Sequence, residues 1–115
     1  MGPDRSEVLY GTLGLMVLKT LAGLGPSHGY RIARRVEKIS GHQLALNQGT
    51  LYPAILKLEQ VGWITSNWRK SESGRRVKNY SLTRGGGKQL RKEGTEWQRA
   101  TGIVDRFFRI SENAS

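Results

Sequence analysis

Apolar side chains recur at steps of three and four residues in four separate segments of this 115-residue chain. Such spacing produces one apolar stripe along a helix, because a helical turn takes 3.6 residues. The segments cover residues 7–24, 28–40, 47–61 and 83–110. A chain with this pattern is predicted to be mainly α-helical.

Residues with turn and cap chemistry separate these segments. Ser27 is predicted to cap the second helix and Gly41 to stop it. Residues 42–46 alternate weakly and are predicted to form a short strand. Asn47 is a predicted N-cap of the third helix, and Pro53 predicts an irregular first turn because it has no N–H to donate.

Two strand-like runs, residues 63–70 and 76–83, follow the third helix. In the first run Ile64 and Trp68 share a face, and in the second run Tyr80 and Leu82 share a face. The five residues between the runs read Ser-Glu-Ser-Gly-Arg, which is turn chemistry. The two runs are therefore predicted to form a small β-hairpin.

The order helix, helix, short strand, helix, hairpin, long helix predicts a winged helix-turn-helix. Residues 7–83 are predicted to form this domain, and residues 84–110 a C-terminal dimerisation helix. Three glycines at 85–87 weaken the first turns of that helix. Beyond them the apolar spacing is typical of a coiled-coil seam. The residues predicted for the dimer seam are Trp97, Thr101, Val104 and Phe108.

The net charge of +10 predicts a polyanionic partner, either nucleic acid or an anionic membrane surface. The plainer interpretation is that the charge serves solubility alone. The apolar stretch 8–24 is too interrupted by polar residues and glycine to span a bilayer, and no secretion signal is visible at the N-terminus. We therefore expect a cytoplasmic protein without a membrane partner.

Catalytic chemistry has little support in this composition. The chain has no cysteine and two histidines, which excludes thiol catalysis and sulfur-ligated zinc. No histidine or carboxylate pair has the spacing of a metal site or of an acid–base pair, and no glycine-rich loop has the context of a phosphate cradle. We expect neither an enzyme nor a bound metal or cofactor.

The third helix of a winged domain enters the major groove, so its polar N-terminal half determines what is contacted. Asparagine and glutamine pair with adenine edges, while threonine and tyrosine reach phosphates or thymine methyl groups. The alternative interpretation is that these polar residues are solvated cap residues. The predicted contacts are Asn47, Gln48, Gly49, Thr50, Tyr52, Pro53 and Lys57.

The hairpin and the residues that follow it are strongly positively charged. Nine basic residues lie between positions 69 and 92, where Glu72 is the one acidic residue. Such a hairpin is suited to grip phosphates or to enter a minor groove. Charged residues also protect exposed strand edges, which is the alternative interpretation. The predicted contacts are Arg69, Lys70, Ser73, Gly74, Arg75, Arg76 and Lys78.

The chain resembles the PadR family of bacterial transcriptional regulators over about residues 9–97. Residues 47–64 read NQGTLYPAILKLEQVGWI, which is similar to the family's recognition-helix signature. Residues 28–32, HGYRI, and 78–83, KNYSLT, resemble its second-helix opening and the end of its wing. The glycines at 85–87 depart from the usual start of its last helix. The resemblance implies a homodimer that represses transcription, often near its own gene, and the single helix after the wing resembles the short-tailed members.

Some short members of the family bind planar aromatic compounds between their paired last helices, which implies such an effector at Trp97. Ordinary core packing of Trp97 is the alternative, and it is the one that helical spacing favours. Two rivals to a sequence-specific regulator of double-stranded DNA also stay open. One is a non-specific architectural or RNA-binding protein, and the other is a protein–protein module that uses the same fold.

Overall fold

A computed structural model describes residues 12–44, 46 and 48–113 of the chain. In this described part of the chain, four helices pack with a small sheet, which confirms the predicted fold class. The predicted start of the first helix at residue 7 lies outside the described residues. The elements are α1 (Leu13–Leu24), β1 (Ser27–His28), α2 (Gly29–Ile39), α3 (Gln48–Gln60), β2 (Ile64–Lys70), β3 (Arg76–Leu82) and α4 (Arg84–Asn113).

The sheet has three antiparallel strands in the order β1, β3, β2. The predicted hairpin is confirmed: β2 and β3 pair from Ile64 opposite Leu82 to Lys70 opposite Arg76. The two-residue strand β1 pairs on the other edge of β3, with Ser27 opposite Tyr80. Because β1 leads directly into α2, the sheet connects the wing to the start of the helix-turn-helix.

The predicted short strand at residues 42–46 is wrong at every described position of that segment. Gly41 and His42 both have a φ of 63°, which turns the backbone sharply at the end of α2. The chain then folds back on α2, because the Leu46 N–H donates to a carboxylate oxygen of Glu37 over 3.1 Å. Leu44 and Leu46 are buried, so their alternation reflects core contact rather than strand pairing.

The predicted cap at Ser27 is also wrong, by one residue. His28 caps α2, because its Nδ1 accepts the Arg31 N–H over 3.2 Å. Ser27 is instead buried, pairs with β3, and donates its hydroxyl proton to the Gly25 carbonyl oxygen over 2.9 Å. At the other end, α2 stops at Ile39, two residues before Gly41. The predicted cap of α3, Asn47, lies outside the described residues.

One apolar core joins α1, α2, α3 and the sheet. Two residues at the ends of predicted stripes are exposed instead: Ile39 at 71% and Val61 at 50%. Both lie at the C-terminal ends of their stripes, and each borders an open groove rather than the closed core. Buried members of this core include Leu18 and Leu21 from α1, Ile32 from α2, Leu44 after α2, Leu51, Ile55 and Leu58 from α3, and Ile64 and Tyr80 from the sheet.

Helix α4 begins at Arg84 and runs straight through the three glycines. Thr83 is its cap, since its Oγ1 accepts the Gly86 N–H over 3.0 Å. A Cβ at position 86 would lie 1.9 Å from the Trp63 carbonyl oxygen, whereas Cβ atoms at 85 and 87 would make ordinary contacts. Gly86 therefore permits the close approach of α4 to the backbone that precedes β2.

The two halves of α4 have different surroundings. The first half packs on the core through Leu90 and contacts α1. Every residue from Thr95 to Ile110 is exposed, over a length of roughly 24 Å at 1.5 Å per residue. No helix in the described part of the chain combines the length and apolar character that crossing a membrane requires.

The glycine run predicts two opposite effects of alanine substitution on stability. Gly86→Ala should lower the free energy of unfolding by about 2 kcal/mol, because the backbone must shift to admit the new methyl group. Gly87→Ala is the matched control and should raise it by up to about 1 kcal/mol through helix propensity. Urea unfolding followed by circular dichroism measures both, and a gain in stability for both variants would contradict the close approach.

Candidate nucleic-acid interface

Helix α3 exposes one face and buries the other. Leu51, Ile55 and Leu58 anchor it in the core, at the three- and four-residue spacing of a single face. The opposite face is exposed along the whole helix. It consists of Gly49, Tyr52, Pro53, Leu56, Lys57 and Gln60.

Four of the predicted groove contacts lie on this outward face: Gly49, Tyr52, Pro53 and Lys57. Thr50 is half-buried beside it. Gln48 is the first residue of α3 and only its backbone is described, while Asn47 lies outside the described residues. Leu56, exposed at 54%, was not among the predicted contacts.

The wing is a tight hairpin whose tip is held by backbone hydrogen bonds. The Ser71 N–H donates to the Arg75 carbonyl oxygen over 2.8 Å, and the Gly74 N–H donates to that of Ser71 over 2.9 Å. Gly74 has a φ of 84°, a conformation that glycine adopts without strain. The predicted wing residues exposed around this tip are Arg69, Lys70, Ser73, Gly74, Arg75 and Arg76.

A cleft of about 780 Å³ separates the wing from α3 and the start of α2. Aromatic and basic side chains line it together. The Arg76 guanidinium carbon lies 4.9 Å from the centre of the Trp68 ring, which is a cation–π contact. Members of the lining that bear on binding are His28, Tyr30, Tyr52, Trp68, Arg75 and Arg76.

Two aromatic members of this lining were not predicted as site residues. Tyr30 is exposed at 71% and Trp68 at 58%. The alternation of β2 does place Trp68 on the same face as Ile64, as predicted. The apolar core ends before Trp68, however, so this part of the face opens into the cleft.

Lys78 differs from the other basic residues of the wing. Its Nζ lies 3.7 Å from a carboxylate oxygen of Glu59 on α3 and 5.7 Å from the centre of the Tyr80 ring. Among the described residues, it is the one wing cation within ion-pair distance of a carboxylate. The predicted phosphate contact at Lys78 therefore has a competing partner inside the protein.

Tyr80 lies beneath the cleft and is almost completely buried. Burial raises the pKa of its hydroxyl above 10.0, and the nearby Tyr52 and Glu59 raise it further. Tyr52 on the outward side of α3 therefore lies close to Tyr80 of β3, next to the contacts that Glu59 makes.

The residues predicted for the dimer seam lie on the projecting part of α4. Trp97 is 47% exposed, Val104 53% and Phe108 68%, and Thr101 donates its hydroxyl proton to the Trp97 carbonyl oxygen over 2.9 Å. An open groove of about 650 Å³ between α1 and α4 runs beside Trp97. Core packing within the chain thus covers only part of this tryptophan.

No cluster of histidine and carboxylate side chains in the described residues has the geometry to hold a metal ion. Residues of α3 and of the basic wing border the aromatic cleft from two sides.

Solved structures of transcriptional regulators have the same fold as this chain. A transcriptional regulator from Clostridium thermocellum has a TM-score of 0.79 at 27% identity, over 91% of this chain and 98% of that one. A PadR family transcription regulator from Clostridium difficile has a TM-score of 0.76 at 27% identity, over 85% and 99% of the two chains.

The names of two relatives that match by sequence do not state a function. An uncharacterized 37.1 kDa protein in transposon Tn4556 of Streptomyces fradiae is 36% identical over 90 residues, which cover 78% of this chain. The chain spans only 24% of the length of that relative. Uncharacterized protein X of Lysinibacillus sphaericus is 24% identical over 90% of this chain and 94% of its own length.

The family comparison covers the helix-turn-helix, the wing and the start of α4. Residues 17–92, more than half of the chain, match the model of the transcriptional regulator PadR-like family. Members of this family are transcriptional regulators and not enzymes. The chain belongs to the PadR-like family of transcriptional regulators.

Proposed function

We propose that this chain binds double-stranded DNA sequence-specifically, as a cytoplasmic homodimer in a bacterium, and represses transcription from the site it occupies. One observation carries the proposal: Tyr52 on the outward face of α3 and the exposed wing cations Arg75 and Arg76 line the same cleft. The unit that binds DNA is residues 7–83, and residues 84–110 form the dimerisation helix.

The two sides of the cleft supply different kinds of contact. Side chains on α3 reach base edges in the major groove, since a helix of this diameter fits that groove. The cations of the wing, at the far side of the cleft, reach phosphates and carry no sequence information. Tyr30 and Tyr52 line the cleft between them, where the hydroxyl of each can donate to a phosphate oxygen.

The dimer follows from the apolar surface of α4. An isolated chain would expose Trp97, Val104 and Phe107 on the part of α4 that does not pack against the core. An apolar arc of this extent on a projecting helix is typical of an interface. Two copies joined along α4 would present two α3 helices to one face of a duplex, and we expect their half-sites about 34–36 Å apart.

A planar aromatic effector is the finer part of the proposal. The groove between α1 and α4 falls within the roughly 300–1,000 Å³ of small-molecule sites, and Trp97 presents a partly exposed ring to it. A ligand stacked on Trp97 would bear on the dimer seam through Thr101, Val104 and Phe108. Release of DNA would follow if the ligand favoured a spacing of the α3 helices that does not match the half-sites.

A non-specific architectural role is the rival that shares the same charge. Fluorescence anisotropy separates the two roles by comparing the duplex upstream of the protein's own gene with a scrambled duplex at several salt concentrations. We expect at least about 10³-fold tighter binding of the upstream duplex. Equal affinities that fall together with salt would support the architectural role.

The division of labour across the cleft predicts different effects for its two sides. Replacing Arg75 and Arg76 with alanine should weaken binding to every duplex, and the slope of log affinity against log salt should flatten by about 0.9 per lost phosphate contact. Replacing Gln48 or Thr50 should instead change the preference between duplexes. Anisotropy titrations measure both, and equal losses on all sequences for the two sets would contradict this division.

The proposed dimer predicts that a charged residue at position 104 strongly weakens dimerisation. Val104→Glu should raise the dimer dissociation constant on the order of 100-fold, because a carboxylate would be buried at the seam without a partner. Arg106→Gln changes the net charge by the same amount on the opposite side of α4 and is the matched control. Light scattering at micromolar concentration measures both, and a monomeric wild type would reject the dimer.

A further inference from the structure

One carboxylate connects the recognition helix to both strands of the wing. Glu59 lies in the last turn of α3 and is half-buried. Its Oε2 accepts the hydroxyl proton of Ser66 on β2 over 2.5 Å, and its Oε1 lies 3.7 Å from the Nζ of Lys78 on β3. Ser66 pairs with Tyr80 and Trp68 with Lys78, so the two partners of Glu59 are diagonal neighbours on one face of the sheet.

The location of Glu59 is unfavourable for a protein that binds a polyanion. Between residues 47 and 92 the sequence has two acidic residues, Glu59 and Glu72. Glu72 is exposed at the tip of the wing, whereas Glu59 points inward between α3 and the sheet. A carboxylate there repels phosphates and also neutralises one of the wing's cations.

Lys78 is enclosed by three neighbours: the Glu59 carboxylate, the Tyr80 ring and the sheet to which it belongs. The ion pair with Glu59, the Tyr80 ring and the sheet leave its side chain 35% exposed. Its neighbours Arg69, Lys70, Arg75 and Arg76 are exposed and, among the described residues, make no ion pair. The wing thus presents four cations to a ligand and retains the fifth.

We propose that Glu59 is a positioning residue for DNA recognition, which fixes the wing against α3 and withholds Lys78 from phosphates. This inference rests on the proposed function, in which α3 and the wing bind one duplex. A wing fixed at one distance from α3 makes its phosphate contacts only when α3 lies in register with its bases. Retaining Lys78 removes one contact that would be made equally on every sequence, so both effects favour the specific site over other DNA.

The proposal predicts that Glu59→Gln strengthens non-specific DNA binding, although it removes a contact within the protein. The amide still accepts the Ser66 proton, but the ion pair is lost and Lys78 is free to reach a phosphate. Affinity for a scrambled duplex should rise, and its salt slope should steepen by about 0.9, the value of one phosphate contact. Affinity for the specific duplex should rise less or fall, so we expect the ratio of the two affinities to drop by about fivefold or more.

Two further variants isolate the cause. Glu59→Gln combined with Lys78→Gln should return the salt slope on scrambled duplex to that of the wild type, because the released cation is gone. Glu72→Gln adds the same charge to the wing without releasing a held lysine. It should raise the affinity for both duplexes by similar factors and leave their ratio unchanged.

The experiment is a set of anisotropy titrations of the full chain and these three variants, on specific and scrambled duplexes at several salt concentrations, with thermal unfolding of each variant. A steeper slope and a lower ratio for Glu59→Gln alone support the proposal. A Glu59→Gln variant that loses affinity equally on both duplexes, or that behaves as the wild type does, overturns it while the proposed function stands. A wild type that does not distinguish the duplexes overturns both.

Discussion

The burial of one face of α3 is the constraint on which the rest of the structure depends. Leu51, Ile55 and Leu58 enter a core built by α1, α2 and the sheet, and this fixes the rotation of the helix about its axis. The residues on the opposite side of the helix must then face outward, whatever their chemistry. A helix that is polar in its first turns and anchored from behind can enter a groove without losing its own support.

The wing takes its position from the same helix and from α4. Glu59 on α3 contacts both strands of the wing, and Tyr52 lies close to Tyr80 of β3. Gly86 lets α4 approach the backbone at Trp63, where the wing begins. The hairpin is therefore held at its root from two directions, while its tip carries the charge into solvent. Such an arrangement suits a duplex ligand, because the distance between base-reading and phosphate-binding elements is set before binding.

Much of this architecture was predictable, because it follows from local rules. Helical periodicity located α2, α3 and α4, and turn chemistry with alternating strands located the hairpin. The failures occurred where distant contacts override local preference. Ser27 has the chemistry of a cap but pairs with Tyr80, and the alternating residues 42–46 follow a turn that Glu37 stabilises. Glu59 gave no signal in the sequence, since its role depends on two strands that follow it in the chain.

The central claim is that two copies of α3, each with its wing, read one duplex at a fixed spacing. A hydroxyl-radical footprint on a duplex selected for tight binding from a random pool tests this most directly. We expect two protected segments of related sequence, one helical turn or about 34–36 Å apart from centre to centre, with flanking protection from the wings. Protection that is uniform along the duplex, or that covers a single unrepeated segment, would contradict the claim.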